Sequence, residues 1–156
     1  MGCESRLWAV LLGLLCSLAG ADAPAEGNVY VPYSGIIKGT EGADPVRLLV
    51  SNETGRPMVC TAALAHWYSE DLGRAEPGAS LDIMLWHDPE TGVVNLINQT
   101  NDRMPVEAIW CGTAGDLSAT RARIALPITA GPAPANVTRS CKSGPDGRFD
   151  CLGAEG

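Results

Sequence analysis

The sequence predicts an all-β fold: a single antiparallel β-sandwich of about seven strands, followed by a disulfide-closed C-terminal tail. Three observations carry this. Short apolar runs recur at close intervals with Gly, Pro, Asn and Asp between them, the spacing of strands and turns rather than of helices. Within several runs apolar and polar residues alternate with a period of two. The exported part of the chain holds an even number of cysteines, the pattern of a disulfide framework.

Taken from the start, residues 1–21 read as a cleaved secretory signal. Arg6 precedes an apolar run from Leu7 to Leu18, and the small residues Ala19 and Ala21 mark a cleavage site. The run is shorter than the roughly 20 residues a transmembrane helix needs, so no stable membrane anchor is expected after cleavage. "MGC" at the start lacks the Ser or Thr that myristoylation wants at position 6, and Cys16 follows Leu14 and Leu15 instead of the small residue of a lipoprotein signal. The remaining 135 residues divide into a short linker (22–27), a β domain (28–126), a Pro/Gly/Ala-rich linker (127–140) and a tail (141–156). The expected strands are "VYVPY" (29–33), "VRLLV" (46–50), "MVCTAALAHW" (58–67), "LDIMLW" (81–86), "VVNLI" (93–97), "VEAIW" (106–110) and "ARIAL" (122–126). In the fourth run Leu81, Ile83 and Leu85 face one way and Asp82 and Met84 the other. Residues 60–68 also fit a helix, but Pro57 nearby and the β-formers Val59, Thr61, Trp67 and Tyr68 favour a strand.

Export removes Cys3 and Cys16 and leaves Cys60, Cys111, Cys141 and Cys151. Sequence segmentation pairs Cys60 with Cys111 and Cys141 with Cys151, the second bridge stapling a terminal loop at whose rim Arg148 and Phe149 are displayed. An internal echo supports the first pair. "VSNETGRPMVC" (50–60) and "INQTNDRMPVEAIWC" (97–111) both run Asn-x-Thr, Arg, Met and Pro, Val, Cys. Each places a turn after an apolar strand and a cysteine in the next, which predicts two similar hairpins delivering Cys60 and Cys111 into facing sheets. Asn52, Asn98 and Asn136 each satisfy the glycan-acceptor pattern, but Asn followed by Thr also suits a turn in which the side chains satisfy backbone N–H groups.

"AEPGASLDIML", in which a Pro-Gly turn leads into an alternating strand, together with "VSNETGRPMVC" resembles the patterning of immunoglobulin-like and fibronectin-like modules. The resemblance implies that architecture alone. Trp67 follows the first cysteine too soon for an immunoglobulin domain, and Ile109 stands where its corner tyrosine belongs.

The formal net charge is −7 and signal removal leaves it unchanged, because one Glu and one Arg go together. Nine Arg against two Lys, with abundant Ala and Gly, suggest a GC-rich bacterial genome and so a periplasmic or secreted destination. No short window carries the basic footprint of a nucleic-acid or anionic-lipid binder. No G-x-S-x-G elbow occurs, and the acidic pairs Glu70-Asp71 and Asp88-x-Glu90 read as turns, with His87 exposed beside the second; no enzyme is expected. The expected function is contact with an unidentified protein partner, as an accessory or assembly factor, through Trp67, Tyr68 and Trp86. If Trp67 and Tyr68 lie in one strand, one of them is core and the other exposed. No cofactor is called for unless the alternative holds, a periplasmic copper protein with His66, His87, Met58, Met84 and Met104 as ligands.

Overall fold

Residue 35 and residues 37–153 are described by the structure, a computed structural model. The expected signal, the 22–27 linker and the "VYVPY" strand lie outside the described residues. Nine strands follow: β1 (Asp44–Asn52), β2 (Met58–Leu64), β3 (Tyr68–Ala75), β4 (Ser80–His87), β5 (Val94–Ile97), β6 (Arg103–Thr113), β7 (Ala122–Ile124), β8 (Asn136–Ser143) and β9 (Phe149–Gly153). A 3₁₀ turn (Ala65–Trp67) joins β2 to β3, and a single helical turn, α1 (Leu117–Thr120), precedes β7. Among the described residues no helix is long and apolar enough to cross a membrane.

The strands hydrogen-bond in the order β3-β2-β6-β5-β4-β1-β8-β9, with β7 attached to β6. All pairs are antiparallel except β1 with β8. The long strand β6 serves two groups of strands. Arg103, Met104 and Pro105 pair with β5, whereas Val106 to Thr113 pair with β2. At the crossover the register slips between Ala63 and Leu64, a bulge that bends the strand.

Side-chain alternation decides what is buried. In β1, Val46, Leu48, Val50 and Asn52 are buried while Arg47, Leu49 and Ser51 face outward; in β2, Met58, Cys60, Ala62 and Leu64 point inward. Ile83, Leu85 and His87 bury the inner side of β4, as the alternation of its sequence predicts, and leave Asp82 and Met84 outside. On that outer side the Arg47 guanidinium grips both oxygens of Asp82 across the β1–β4 ladder and lowers the pKa of its carboxyl, the hydrogen bond mattering most.

Both expected bridges are formed. The placement of the first differs from expectation. Cys60 and Cys111 are direct partners on the adjacent strands β2 and β6, with Cα atoms 4.1 Å apart, so the bond staples neighbours within one ladder and does not span facing sheets. Cys141 and Cys151 are likewise opposite each other on β8 and β9, 4.0 Å apart. In the loop-closure account the two contribute about 4 and about 3 kcal/mol.

The expected linker and tail are built into the sheet. Residues 125–135 have no regular structure yet are pinned, because Thr129 O accepts from His87 Nε2 at 3.1 Å and Gly131 N–H donates to Pro89 O at 2.8 Å. Gly92 makes this approach feasible: its φ is +75°, and a Cβ there would lie 2.5 Å from the Ala130 nitrogen. Beyond it β8 runs parallel to β1, and Val137, Cys141, Phe149 and Cys151 join the common core. Phe149, expected at an exposed rim, is buried because it alternates inward with Cys151, while Arg148 remains outside.

This predicts that a protein ending at Leu126 will not fold. A detachable tail would leave the cooperative thermal transition in place; loss of β8 from the side of β1, with four core residues, is expected to abolish it, as circular dichroism would record.

Candidate functional site

The β2–β3 connection is the most unusual part of the backbone. β2 follows its expected strand pattern as far as Leu64, and then His66 (φ 63°, ψ 30°) and Trp67 (φ 67°) both adopt left-handed conformations. Glycine or asparagine normally fills such positions; other L-residues cost about 1–2 kcal/mol each there. No burial offsets the strain. Trp67 is fully exposed and Tyr68, the first residue of β3, is 63% exposed. The expectation that one of these two aromatics is core therefore fails: the chain has left strand geometry at Trp67, so strict alternation does not apply between them. The result is an aromatic corner held out from the sheet, followed on β3 by the exposed carboxylates of Glu70 and Asp71.

Trp86 is not part of that corner. It is half-buried on the outer side of β4, opposite Pro45 and Asn95. The five proposed copper ligands are also dispersed. Met58 and His66 flank opposite ends of β2, and Met84 and His87 point to opposite sides of β4. Met58 and Met104 are buried in the core, whereas Met84 is half exposed. His87, expected in an exposed turn, is completely buried as the last residue of β4. A carbonyl can only accept, so Nε2 carries the proton toward Thr129 O, and Nδ1 has no hydrogen-bond partner. His66 and Met104 both line a cleft of about 250 Å³, together with Asp88, Arg103, Ile37 and Val93.

The acidic pairs separate too. Asp88 sits in the β4–β5 turn, where Thr91 and Glu90 N–H groups donate to it and lower its pKa. Glu70 and Asp71 are strand residues, not turn residues as expected, and line other clefts. Trp110, beside the first bridge, carries the Arg121 guanidinium 4.6 Å above its ring, a cation–π contact.

The echoed segments form the same turn twice. Asn52 Oδ1 accepts the Thr54 N–H at 3.0 Å, and Asn98 Oδ1 accepts the Thr100 N–H at 3.0 Å. Their surroundings differ. Asn52 is fully buried and its Nδ2 donates to Arg56 O and Ala75 O, tying the end of β1 to the end of β3; its amide is not available to a glycan. Asn98 is exposed, and its turn instead supports Asp102. Lys38 Nζ donates to Asp102 at 2.7 Å, and with the Thr100 hydroxyl and the Asn98 amide it draws that carboxyl's pKa down to about 2.

The chain matches no protein-family model, and no significant similarity to a curated protein or to a solved structure was found.

Two outcomes are expected from the paired turns. Asn52→Ala should cost about 2–3 kcal/mol in chemical denaturation, because it strands buried partners, while Asn98→Ala should cost less than about 1 kcal/mol. Asp102 is more acidic folded, at about 2, than unfolded, at about 4. Its contribution is therefore complete above pH about 4 and is lost as pH falls through about 2. Over that window the urea midpoint of the wild type should drop more steeply than that of Asp102→Asn.

Proposed function

We propose that this is an exported, non-enzymatic all-β protein of the periplasm or extracellular space, acting through contact with another protein as an accessory or assembly factor. The observation that carries the reading is the Trp67–Tyr68 corner. A tryptophan held fully exposed in a left-handed conformation contributes nothing to the core and costs stability, and residues kept under such strain cluster at functional sites. Exposed Trp and Tyr are also the residue types that dominate binding energy at protein interfaces. The two disulfides support an oxidising, exported setting. The copper reading lacks comparable support, since its five ligands are scattered over four elements, β2, the 3₁₀ turn, β4 and β6, and Met84 and His87 point to opposite sides of β4.

Within this proposal the sheet closes as a sandwich in the immunoglobulin or fibronectin manner. β9, at one end of the strand order, lies against β6 and β7, and β3, at the other end, lies against β4. The Trp67 corner then projects from one end of the sandwich, where hairpin connections are free to carry recognition residues.

Stability and binding should oppose each other at this position. Trp67→Gly is expected to raise stability by about 1 kcal/mol, because glycine tolerates the positive φ, and Trp67→Ala to leave stability nearly unchanged. Both should lose capture of the partner in a comparative cross-linking pull-down from the native extract. Equal capture by wild type and Trp67→Ala would end the proposal.

A further inference from the structure

The strand that follows the corner has one unpaired side. β3 pairs with β2 alone, so the N–H and C=O groups of alternate residues on its far side have no strand partner among the described residues. A groove runs beside that free edge. Two clefts, of about 210 and about 240 Å³, share Leu64, Glu70 and Asn98 and together extend from Tyr68 to Leu72. Their apolar lining includes Leu64, Leu72, Met84, Leu96, Ile97 and Met104.

The charge along this groove is one-sided. Asp82 is paired with Arg47 and Asp102 with Lys38, but Glu70 and Asp71 have no ion-pair partner among the described residues. The β2–β3 register sets Glu70 opposite the fully buried Ala62. Glu70 therefore stands on the inward side of β3, at the groove, and not on the outer surface where a solubilising charge would be expected.

An inward charge on an edge strand repels unwanted pairing. A neutral strand placed here would cover an uncompensated carboxylate. A second copy paired through β3 would bring Glu70 and Asp71 against their own like charges. A strand bearing Lys or Arg meets neither obstacle and gains an ion pair, so the device that excludes most strands selects cationic ones. At the end of the edge, the exposed Trp67 ring offers a face to a further cation.

We infer that the free edge of β3 takes up an extended, positively charged segment of a partner protein as an added strand. Backbone hydrogen bonds to β3 hold it, Glu70 receives its Lys or Arg side chains on the groove side, where their methylene stems lie along the apolar lining, and the alternate side chains face outward beside Asp71. This rests on the corner's being a protein contact and names the chemistry of what meets it.

Fluorescence anisotropy of labelled eight-residue peptides, titrated with the full mature protein, tests the inference. A peptide alternating Lys and Val should bind saturably, and one alternating Glu and Val at least tenfold more weakly. N-methylation of every second amide in the Lys/Val peptide should weaken it at least tenfold, since it removes the strand's hydrogen bonds but none of its charge. Glu70→Gln should lose severalfold for the Lys/Val peptide, and Glu70→Lys should reverse the preference between the two. Binding indifferent to N-methylation would reduce the effect to surface attraction and overturn the inference, as would equal binding of both peptides. Hydrogen exchange of the protein without peptide supplies an independent reading. The alternate β3 amides on the free side should exchange quickly; their protection in dilute solution would mean the chain covers its own edge, and protection that grows with concentration would mean a second copy does. Either result overturns the inference. If no peptide binds while Trp67→Ala still abolishes partner capture, the strand-addition inference falls and the corner contact stands. If Trp67→Ala leaves capture intact, the underlying reading falls.

Discussion

A proline has no N–H to give to a ladder, and Pro105 occupies the point where β6 leaves β5 and takes up β2. The missing donor is tolerated there because β6 is changing partners. Much of the sheet follows from this strand. Its first residues connect to β5, β4, β1, β8 and β9, and its last to β2, β3 and β7. Arg103, at its beginning, is buried and fixed by Gly39 and Glu41 carbonyls, which holds residues 37–41 to the same strand. Near its end Cys111 bonds to Cys60, so β2 is attached covalently as well as by hydrogen bonds. The Trp67 corner begins directly beyond that attached strand, since only Ala65–Trp67 separates β2 from β3.

Strands that bury one side were legible in the sequence, and strands that bury little were not. β1, β2 and β4 carry uninterrupted alternation because each lies between two neighbours and covers the core. β3 lies at an edge with its first four residues exposed, so burial imposes no pattern on "YSEDLGRA", and the string reads as a turn. Gly73 deepened the misreading. It follows a bulge at Leu72, has φ +114° and donates its N–H to the Asp71 carboxylate, so a turn-forming residue here serves an irregular strand. β8 was hidden differently. Only Val137 and Cys141 of its eight residues are buried, and its partner β1 is parallel and far away in the sequence, a pairing no local pattern records. His87 was misread because Asp88 and Pro89 signal an exposed turn; the groups that cover it belong to the loop around Thr129.

The disulfides were legible for a reason that survives the correction to their placement. Two segments with the same order of turn, Met, Val and Cys occupy corresponding places in two strands, and strands so related can bring their cysteines into register. Whether they do so across a ladder or between sheets is a matter of topology. The sequence echo carries no information on that, because β2 and β6 become neighbours only once β3, β4 and β5 have been placed. The paired Asn-x-Thr turns illustrate the same limit. Their local hydrogen bonds coincide, and their burial differs completely because β3 passes over one and solvent over the other.

The candidate site combines these two kinds of invisibility. Trp67 and Tyr68 could be singled out from composition, as large aromatics in a chain with few. Their joint exposure required the left-handed turn, which His-Trp gives no local reason to expect. Glu70 looked like a solvated turn residue and is a charge on the inward side of an edge strand. An exposed edge must be protected from its own kind, and the simplest protection is a charge where a core residue would otherwise point. That protection is conditional on the sign of what approaches. The same carboxylate that keeps a neutral or acidic strand away lowers the cost of bringing in a basic one, so protection and selection at β3 are one interaction seen with two different partners.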